Sequence, residues 1–314
     1  MGIIKGWIHH FFLLLKAAFT DLMENNPLRM AAATAFFTTF ALPPILIILV
    51  QVFGLLFEME NLSDQFFERI GGMLGSESSS SIKTTIAGFQ SKAQNWWITI
   101  FGFLFLMFVA TTLFKVIKDS LNQLWNIQAQ RHKKFRVRME KRAVGMLVII
   151  LAGILLVVST TLEGIGALSG NYLDEILPGT GYFLKRIINL AISIIIVTTW
   201  FALLFKLLPN ANPSWKVVMV GGFFTGILFT IGKILIPRFL PFGELSSIFG
   251  TSSSVVLLLL FVFYSSFILY YGACFTKVYA LAIHQPIKGG EHGHLYDAEK
   301  VKAIKDQKVG DSGG

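Results

Sequence analysis

The apolar positions of this chain fall into long runs that are separated by short polar segments. Six of these runs reach the roughly 20 residues that an α-helix needs to cross about 30 Å of hydrocarbon. They predict membrane spans near residues 29–57, 96–117, 143–163, 187–208, 215–236 and 255–282. The pattern therefore predicts an all-α, polytopic membrane protein with one six-span domain over residues 27–284.

Residues 1–26 have a different pattern, in which apolar side chains return every three or four positions. Trp7, Phe11, Leu15 and Leu22 share one helical face, and polar residues occupy the other. This predicts an amphipathic helix that lies in the membrane interface. A secretory signal peptide is the alternative, but paired histidines interrupt the apolar region that such a peptide needs.

Weaker patterns predict the structure of one connection and of the C-terminal tail. In residues 58–95, short apolar faces flank the turn-like segment "GSESSSS", which predicts two short helices over the outer mouth of the bundle. Residues 285–314 mix Gly, Lys, Glu and Asp, which predicts a disordered tail.

Composition and charge support this architecture and add an orientation. The 314 residues are 54% hydrophobic and 14% charged, with a formal net charge of +9, whereas soluble domains are about 25% charged. Most Lys and Arg residues lie in connections on the side of the termini. Because basic loops stay in the cytoplasm, both termini are predicted to be cytoplasmic in a bacterial inner membrane.

The most basic connection is the segment "RHKKFRVRMEKR", in which apolar residues alternate with the charges. It predicts contact with anionic lipid headgroups through Arg131, Lys133, Lys134, Arg136 and Arg138. Nucleic-acid binding would also require a base-stacking or groove-reading module. The sequence contains none, so membrane lipids are the predicted partner.

Two adjacent prolines, Pro43 and Pro44, lie inside the first span. They remove two amide donors from the helix and free the carbonyls of Thr39 and Phe40. In hydrocarbon these carbonyls need partners, which nearby threonine hydroxyls such as Thr38, or water, would supply. Two readings remain open: a static kink that shapes packing, or a broken helix that lines a cavity.

Small residues recur at a spacing of four in the last two spans, which predicts close helix packing. The residues are Gly222, Gly226 and Thr230 in the fifth span and Gly272, Thr276 and Ala280 in the sixth.

Between those spans, the segment 241–255 contains Gly250, Ser252 and Ser253 and is either an ordinary loop or a re-entrant pore mouth. Lys233, near the outer end of its span, either extends to the interface or faces an anionic substrate.

The sequence gives little support for an active site like those of soluble enzymes. The single cysteine, Cys274, permits no intrachain disulfide, and the six histidines are scattered over tails and one loop. Phosphate-binding loops, nucleophile elbows and zinc-binding HExxH helices are absent from the sequence. We therefore expect no catalytic site, no metal and no cofactor.

Four segments carry a family resemblance: "AAATAFF", "KDSLNQLWN", "LLPNANPSWKVVMVGGFFTGILFTIGK" and "SIFGTSSSVVLLLLFVFYSSFILYYGACFTKVYA". With them the chain resembles the YihY/BrkB family of bacterial inner-membrane proteins over about residues 25–280. Residues that match the family pattern include Pro44, Asp119, Asn122, Trp125, Pro209, Lys216, Gly222, Gly232, Lys233, Gly250, Gly272 and Ala273. The resemblance implies a membrane domain of the predicted kind.

The chain departs from this family at two positions. The family often has an acidic residue where this chain has Cys274, and another where it has Thr230 followed by Ile231. Relatives have also carried a ribonuclease label. No cluster of carboxylates or histidines in this sequence would activate water on a phosphodiester.

These features together predict a permease-like protein for a solute or a lipid. The alternative is a non-transporting envelope protein that organises lipids or partner proteins. No set of residues in the sequence names a substrate or a coupling ion.

Overall fold

The computed structural model describes residues 2–57, 96–129, isolated positions between 147 and 158, and residues 181–239, 253–290 and 293–295. The described elements, in chain order, are α1 (Gly2–Glu24), α2 (Pro27–Phe57), α3 (Trp96–Leu124), β1 (Ile127–Ala129), α4 (Gly181–Leu207), α5 (Trp215–Phe239), α6 (Ser253–Ala282) and β2 (Gly293–Leu295). The described positions between 147 and 158 are also helical.

Helix α6 is the central element of the described bundle, since it packs against α1, α2, α3 and α5. Helices α4 and α5 form a close pair, and α2 packs against α3. The largest buried cluster includes Leu22, Trp125, Phe205, Val217 and Tyr270. The core is thus built mainly where α1, α3, α4 and α6 end and where α2 and α5 begin.

This end of the bundle is closed by non-helical chain that we call the cap, formed by residues 125–129, 208–214, 283–290 and 293–295. β1 and β2 pair antiparallel, with Ile127 opposite Leu295. Residues 208–214 connect α4 to α5 and are joined to the segment after α6 by an antiparallel bridge between Ala211 and Gly289. The cap therefore links three separate connections of the chain.

Three helices are followed by a residue whose backbone has the left-handed conformation. Asn26, Asn126 and His284 have φ values of 55°, 54° and 55°. At the end of α6, the amide of Gln285 donates to the carbonyl of Ala280, the pattern of a helix that closes on a left-handed residue. Asn26 is followed by Pro27, whose fixed φ suits the first position of a helix.

Three of the described helices, α4, α5 and α6, are long and apolar enough to cross a membrane. Their apolar windows are Leu190–Leu207, Trp215–Leu235 and Val255–Ala282. Many of their large apolar side chains, such as Ile195 and Phe223, are exposed on the outside of the bundle. An apolar exterior of this kind suits a lipid solvent rather than water.

Helix bounds can be compared with the predicted spans where the chain is described. α2, α4, α5 and α6 begin within about six residues of the predicted starts and end within about three of the predicted ends, while α3 continues seven residues beyond residue 117. Most of the span near 143–163 and the whole of residues 58–95 lie outside the described residues.

Helix α2 is continuous through Pro43 and Pro44, which excludes the broken-helix reading of the two that the sequence left open. The tail is not disordered from residue 285, because Ile287 is buried and the Lys288 carbonyl accepts a hydrogen bond from the amide of Asn212. Composition alone missed this contact, since the partner lies about 75 residues earlier in the chain.

Candidate functional site

A buried hydroxyl group connects three helices toward the cap end of the described bundle. Tyr270 on α6 is fully buried, and its hydroxyl lies 2.5 Å from the hydroxyl of Thr34 on α2. Thr34 uses its own proton to donate to the carbonyl of Met30 at 2.9 Å, so Tyr270 donates to Thr34. The side chain of Ser120 on α3 lies beside the same Tyr270 hydroxyl.

Further hydroxyl groups continue this feature along the contact between α2 and α6. Thr34 and Thr38 are four residues apart on one face of α2, and Ser266 and Tyr270 are four apart on one face of α6. The two helices pack together and run in opposite directions, so Thr38 and Ser266 lie on the same side of the Thr34–Tyr270 contact. We call these four residues the hydroxyl seam.

The threonine hydroxyls of α2 were predicted to hydrogen-bond to the carbonyls that the prolines leave free, and they do not. Thr38 donates to the carbonyl of Thr34 at 2.7 Å, and Thr39 donates to the carbonyl of Ala35 at 3.0 Å. The reason is geometric, because helical side chains point toward the N-terminus and their hydroxyls reach the carbonyl four residues back. They do not reach the carbonyls of Thr39 and Phe40 that the prolines leave without amide partners.

Helix α5 has two faces of small residues, and they contact different helices. A Cβ atom at Gly222 would lie 2.7 Å from the carbonyl oxygen of Thr198 on α4, and one at Gly226 would lie 3.0 Å from the hydroxyl of the same threonine. On the adjacent face, a Cβ at Gly221 would overlap the hydroxyl of Thr276 on α6. The backbone of α5 is therefore close to α4 and α6 at once.

The contact between α5 and α6 is reciprocal. Gly272 of α6 lies against Thr225 of α5, as Gly221 lies against Thr276. Each threonine is fully buried and donates at 2.6 Å to the carbonyl of the glycine one turn earlier in its own helix. The hydroxyls are thus satisfied within their helices, and each hydroxyl oxygen occupies the space at the opposite glycine that a Cβ atom would take.

Helix α1 is fixed to α6 by polar as well as aromatic contacts. The Lys277 ammonium lies 2.8 Å and 3.0 Å from the two carboxylate oxygens of Asp21. Cys274 is buried and lies beside the same carboxylate. The hydroxyl of Tyr271 donates to the carbonyl of Leu15 at 3.1 Å. The predicted apolar face of α1 thus packs in part on protein, while Phe12 and Phe19 remain exposed.

The cap joins two of the segments on which the family resemblance rests. Trp125 of "KDSLNQLWN" donates from its indole nitrogen to the carbonyl of Ala273 at 2.9 Å. The backbone amide of Asn210, in "LLPNANP", donates to the side-chain oxygen of Asn122 at 2.7 Å. Lys206 donates to the Asn212 side chain and to the Pro213 carbonyl. Both segments therefore fold against the end of α6.

The remaining predicted site residues are placed as follows. Lys233 is exposed near the end of α5, and Ser253 is the first residue of α6. Gly250 and Ser252 lie outside the described residues, as do the lipid-contact candidates Arg131, Lys133, Lys134, Arg136 and Arg138. Within the described part of the chain, no group of three or more His, Cys, Asp or Glu side chains comes together as a metal site would require.

Sequence reasoning missed Tyr270, Ser120 and Gly221, although two signals were present. The pattern Gly-x-x-x-Thr occurs in "GGFFT" and again in "GACFT", and it marks the two sides of the α5–α6 crossing. Hydroxyl residues four apart occur on both α2 and α6, which indicates two facing polar stripes.

Comparisons with known proteins identify a family and several relatives that are named as membrane proteins. The family described as Virulence factor BrkB matches residues 18–292. A UPF0761 membrane protein of Pseudomonas paraeruginosa is 25% identical over 264 residues, which are 81% of this chain and 58% of the relative. One from Saccharophagus degradans is 24% identical over 88% of this chain and 63% of the relative, and one from Pseudoalteromonas translucida is 26% identical over 78% and 79%.

The chain therefore spans about three fifths of the length of the first two of these relatives. No solved structure matches it. The family match covers most of the chain and includes the hydroxyl seam, the α5–α6 crossing and nearly all of the described cap. This protein is an integral membrane protein that belongs to the BrkB virulence factor family.

Proposed function

We propose that this chain is a six-span protein of a bacterial inner membrane that moves a solute or a lipid across the bilayer. α2 and α3 are 31 and 29 residues long, which exceeds the roughly 20 residues that a span requires. With the third predicted span, they complete a set of six with α4, α5 and α6. Lys206, Lys216 and Lys288 lie at or next to the cap, which favours a cytoplasmic position for it and for both termini.

The observation that carries the transport proposal is the hydroxyl seam. Polar groups within a membrane bundle need partners from the protein or from water, and the Thr34–Tyr270–Ser120 contacts provide such partners between three helices. Thr38 and Ser266 extend the same line toward the part of α2 that contains the prolines. A succession of hydroxyls offers a polar solute or headgroup replacement hydrogen bonds as it moves through an apolar medium.

The prolines weaken the backbone of α2, the helix that forms one side of the seam. Pro43 and Pro44 each remove one hydrogen bond from the ladder of α2, although the helix continues through them. The N-terminal half of α2 is held to α6 by the Thr34–Tyr270 contact. We infer that the C-terminal half bends relative to this fixed half and opens the seam.

We propose transport rather than catalysis because the buried polar groups on the described helices are mostly hydroxyls that bridge helices or bond to their own backbone. Ser120 and Thr34 illustrate the first use, and Thr225 illustrates the second. General acid–base chemistry instead needs titratable pairs within reach of a substrate. This argument applies equally to the ribonuclease label carried by some relatives.

The experiment is a flux measurement with the purified full chain in proteoliposomes. One arm follows osmotic swelling in a panel of polyols and sugars, and the other follows transbilayer movement of a fluorescent phospholipid. We expect flux above protein-free vesicles in one arm, and Tyr270→Phe to lower it about tenfold, which corresponds to about 1.4 kcal/mol. Tyr271→Phe is the matched control, because its hydroxyl contacts α1 and not the seam.

Absence of flux in both arms would overturn the transport proposal. Equal flux in the wild type and in Tyr270→Phe would remove the seam from the mechanism while leaving transport in place. Insertion and folding of each variant are checked by its thermal unfolding midpoint in mild detergent.

One observation favours the second candidate function, a non-transporting protein that organises lipids or partners. α1 exposes Phe12 and Phe19 beside the exposed charge of Lys16, an arrangement typical of helices that bind the membrane surface. This candidate predicts that replacing the basic residues of 131–138 with Gln abolishes function and that Tyr270→Phe does not. The opposite result favours transport.

A further inference from the structure

Two buried side-chain amides in and beside the cap lack hydrogen-bond acceptors. Asn122, at the end of α3, is 4% exposed, and Asn210, between α4 and α5, is 8% exposed. The side-chain nitrogen of each has no partner among the described residues. Buried polar groups in folded proteins are nearly always paired, so two neighbouring unpaired donors indicate an acceptor that belongs between or beside them.

The orientation of the Asn122 amide is fixed by its other end. Its oxygen accepts the backbone N–H of Asn210 at 2.7 Å, so its NH₂ group cannot exchange places with the oxygen without losing that bond. The carbonyl of Asn210 is also occupied, since it accepts the amide of Gly290 at 2.9 Å. The backbone is thus held in place while both NH₂ groups stay available as donors.

The charged groups on the segments around this pair are mainly lysines. Lys206 lies at the end of α4, where it contacts Asn212 and Pro213, and Lys288 lies on the segment that bonds to Asn212. Asp119 is the acidic residue near Asn122 on α3, and it is exposed. The described cap contains no arginine. Lysines act as point charges toward phosphate, and planar bidentate capture of a carboxylate depends on arginine.

We propose that Asn122 and Asn210 form a binding site for a phosphoryl group. Each NH₂ donates toward a phosphoryl oxygen, and Lys206 and Lys288 supply the compensating charge. The group comes either from free phosphate or from the headgroup of a phospholipid. The inference goes beyond the proposed function, because it concerns binding at the cap and requires no movement through the hydroxyl seam.

The test measures binding to the purified full chain in dodecyl maltoside micelles, a detergent that contains no phosphoryl group. The first arm titrates sodium phosphate against sodium chloride of equal ionic strength and follows the thermal unfolding midpoint together with equilibrium binding of radiolabelled phosphate. The second arm adds phosphatidic acid to the micelles. We expect the midpoint to rise by about 2 °C or more at saturation in at least one arm.

The deciding variant is Asn122→Asp, which keeps the oxygen that accepts from Asn210 but removes the NH₂ donor. Gln128→Glu is the matched control, because it makes the same charge change at an exposed position of the cap. We expect Asn122→Asp to weaken binding at least about tenfold and Gln128→Glu to weaken it less than about threefold. If Asn122→Asp does not fold, Asn210→Asp takes its place.

A response to sodium phosphate identifies free phosphate as the source, and a response only to phosphatidic acid identifies the headgroup. If the wild type responds to neither, the two amides hold a buried water only and the proposal is overturned. Equal binding by the wild type and by the Asn122→Asp or Asn210→Asp variant also overturns it. Failure of flux in proteoliposomes has no bearing on these outcomes, so the two proposals fail independently.

Discussion

Gly221 on α5 lies directly against Thr276 on α6, and one turn away Thr225 on α5 lies against Gly272 on α6. Because the helices run in opposite directions, the two contacts are related by a local two-fold arrangement in which each helix contributes one glycine and one threonine. The glycines allow the backbones to approach, and the threonine hydroxyl groups occupy the space that the missing side chains leave. This crossing fixes α6, the central helix, to the α4–α5 pair.

The crossing predicts that Gly221→Ala is destabilising although alanine favours helices. A Cβ atom at this position would overlap the hydroxyl of Thr276, and overpacking of this kind costs about 1 to 3 kcal/mol. Removing the hydroxyl in the double variant Gly221→Ala/Thr276→Ala should recover part of that loss. Thermal unfolding in mild detergent measures both effects.

The control for this prediction is Phe223→Ala, which changes a side chain exposed on the outside of the same helix. We expect it to change stability by less than about 0.5 kcal/mol. Gly221→Ala with wild-type stability, or a double variant less stable than the sum of the single effects, would contradict the described crossing.

The ion pair between Asp21 and Lys277 predicts energetic coupling between α1 and α6. Its side chains are about four fifths buried, so either single replacement, Asp21→Asn or Lys277→Met, leaves a charge without its partner. The double variant should therefore be more stable than additive single effects suggest, with a coupling of about 1 kcal/mol or more. Strict additivity in a double-mutant cycle would show that the pair does not fix α1.

The left-handed helix ends predict a sharp difference between two replacements of Asn126. The residue is exposed and has a φ of 54°, a conformation that costs most side chains about 1 to 2 kcal/mol. Asn126→Val should lower the free energy of unfolding by that amount, whereas Asn126→Gly should leave it nearly unchanged. His284, with a φ of 55°, allows the same comparison at the end of α6. Equal stability of the valine and glycine variants would be inconsistent with these backbone angles.

Features that depend only on residues close together in the chain, such as helix bounds and small-residue spacing, were predicted well from the sequence. Apolar runs located α2, α4, α5 and α6 to within a few residues, because a membrane helix satisfies its own backbone and needs only length and hydrophobicity. Spacing also identified Gly222 and Gly226 as small positions. It did not indicate that they contact α4 while Gly221, one residue earlier, contacts α6, because that depends on how three helices are arranged around one another.

The features that sequence analysis missed depend on distant partners. Tyr270 lies 236 positions from Thr34, and Ile287 is buried in a segment whose polar composition resembles disorder. The direction of the threonine hydroxyls in α2 was also mispredicted, although it follows from helix geometry alone.

Thiol labelling of Thr38→Cys shows whether the hydroxyl seam between α2 and α6 is the polar pathway that we propose. The variants are made in a Cys274→Ser background, which removes the single native cysteine. Phe36→Cys is the control, because Phe36 lies on α2 outside the seam and is exposed on the outside of the bundle, which faces lipid in this account. In proteoliposomes we expect a membrane-impermeant methanethiosulfonate reagent to modify Thr38→Cys and to block flux, and to leave Phe36→Cys unmodified. A Thr38→Cys variant that resists the reagent as fully as Phe36→Cys does would contradict the pathway.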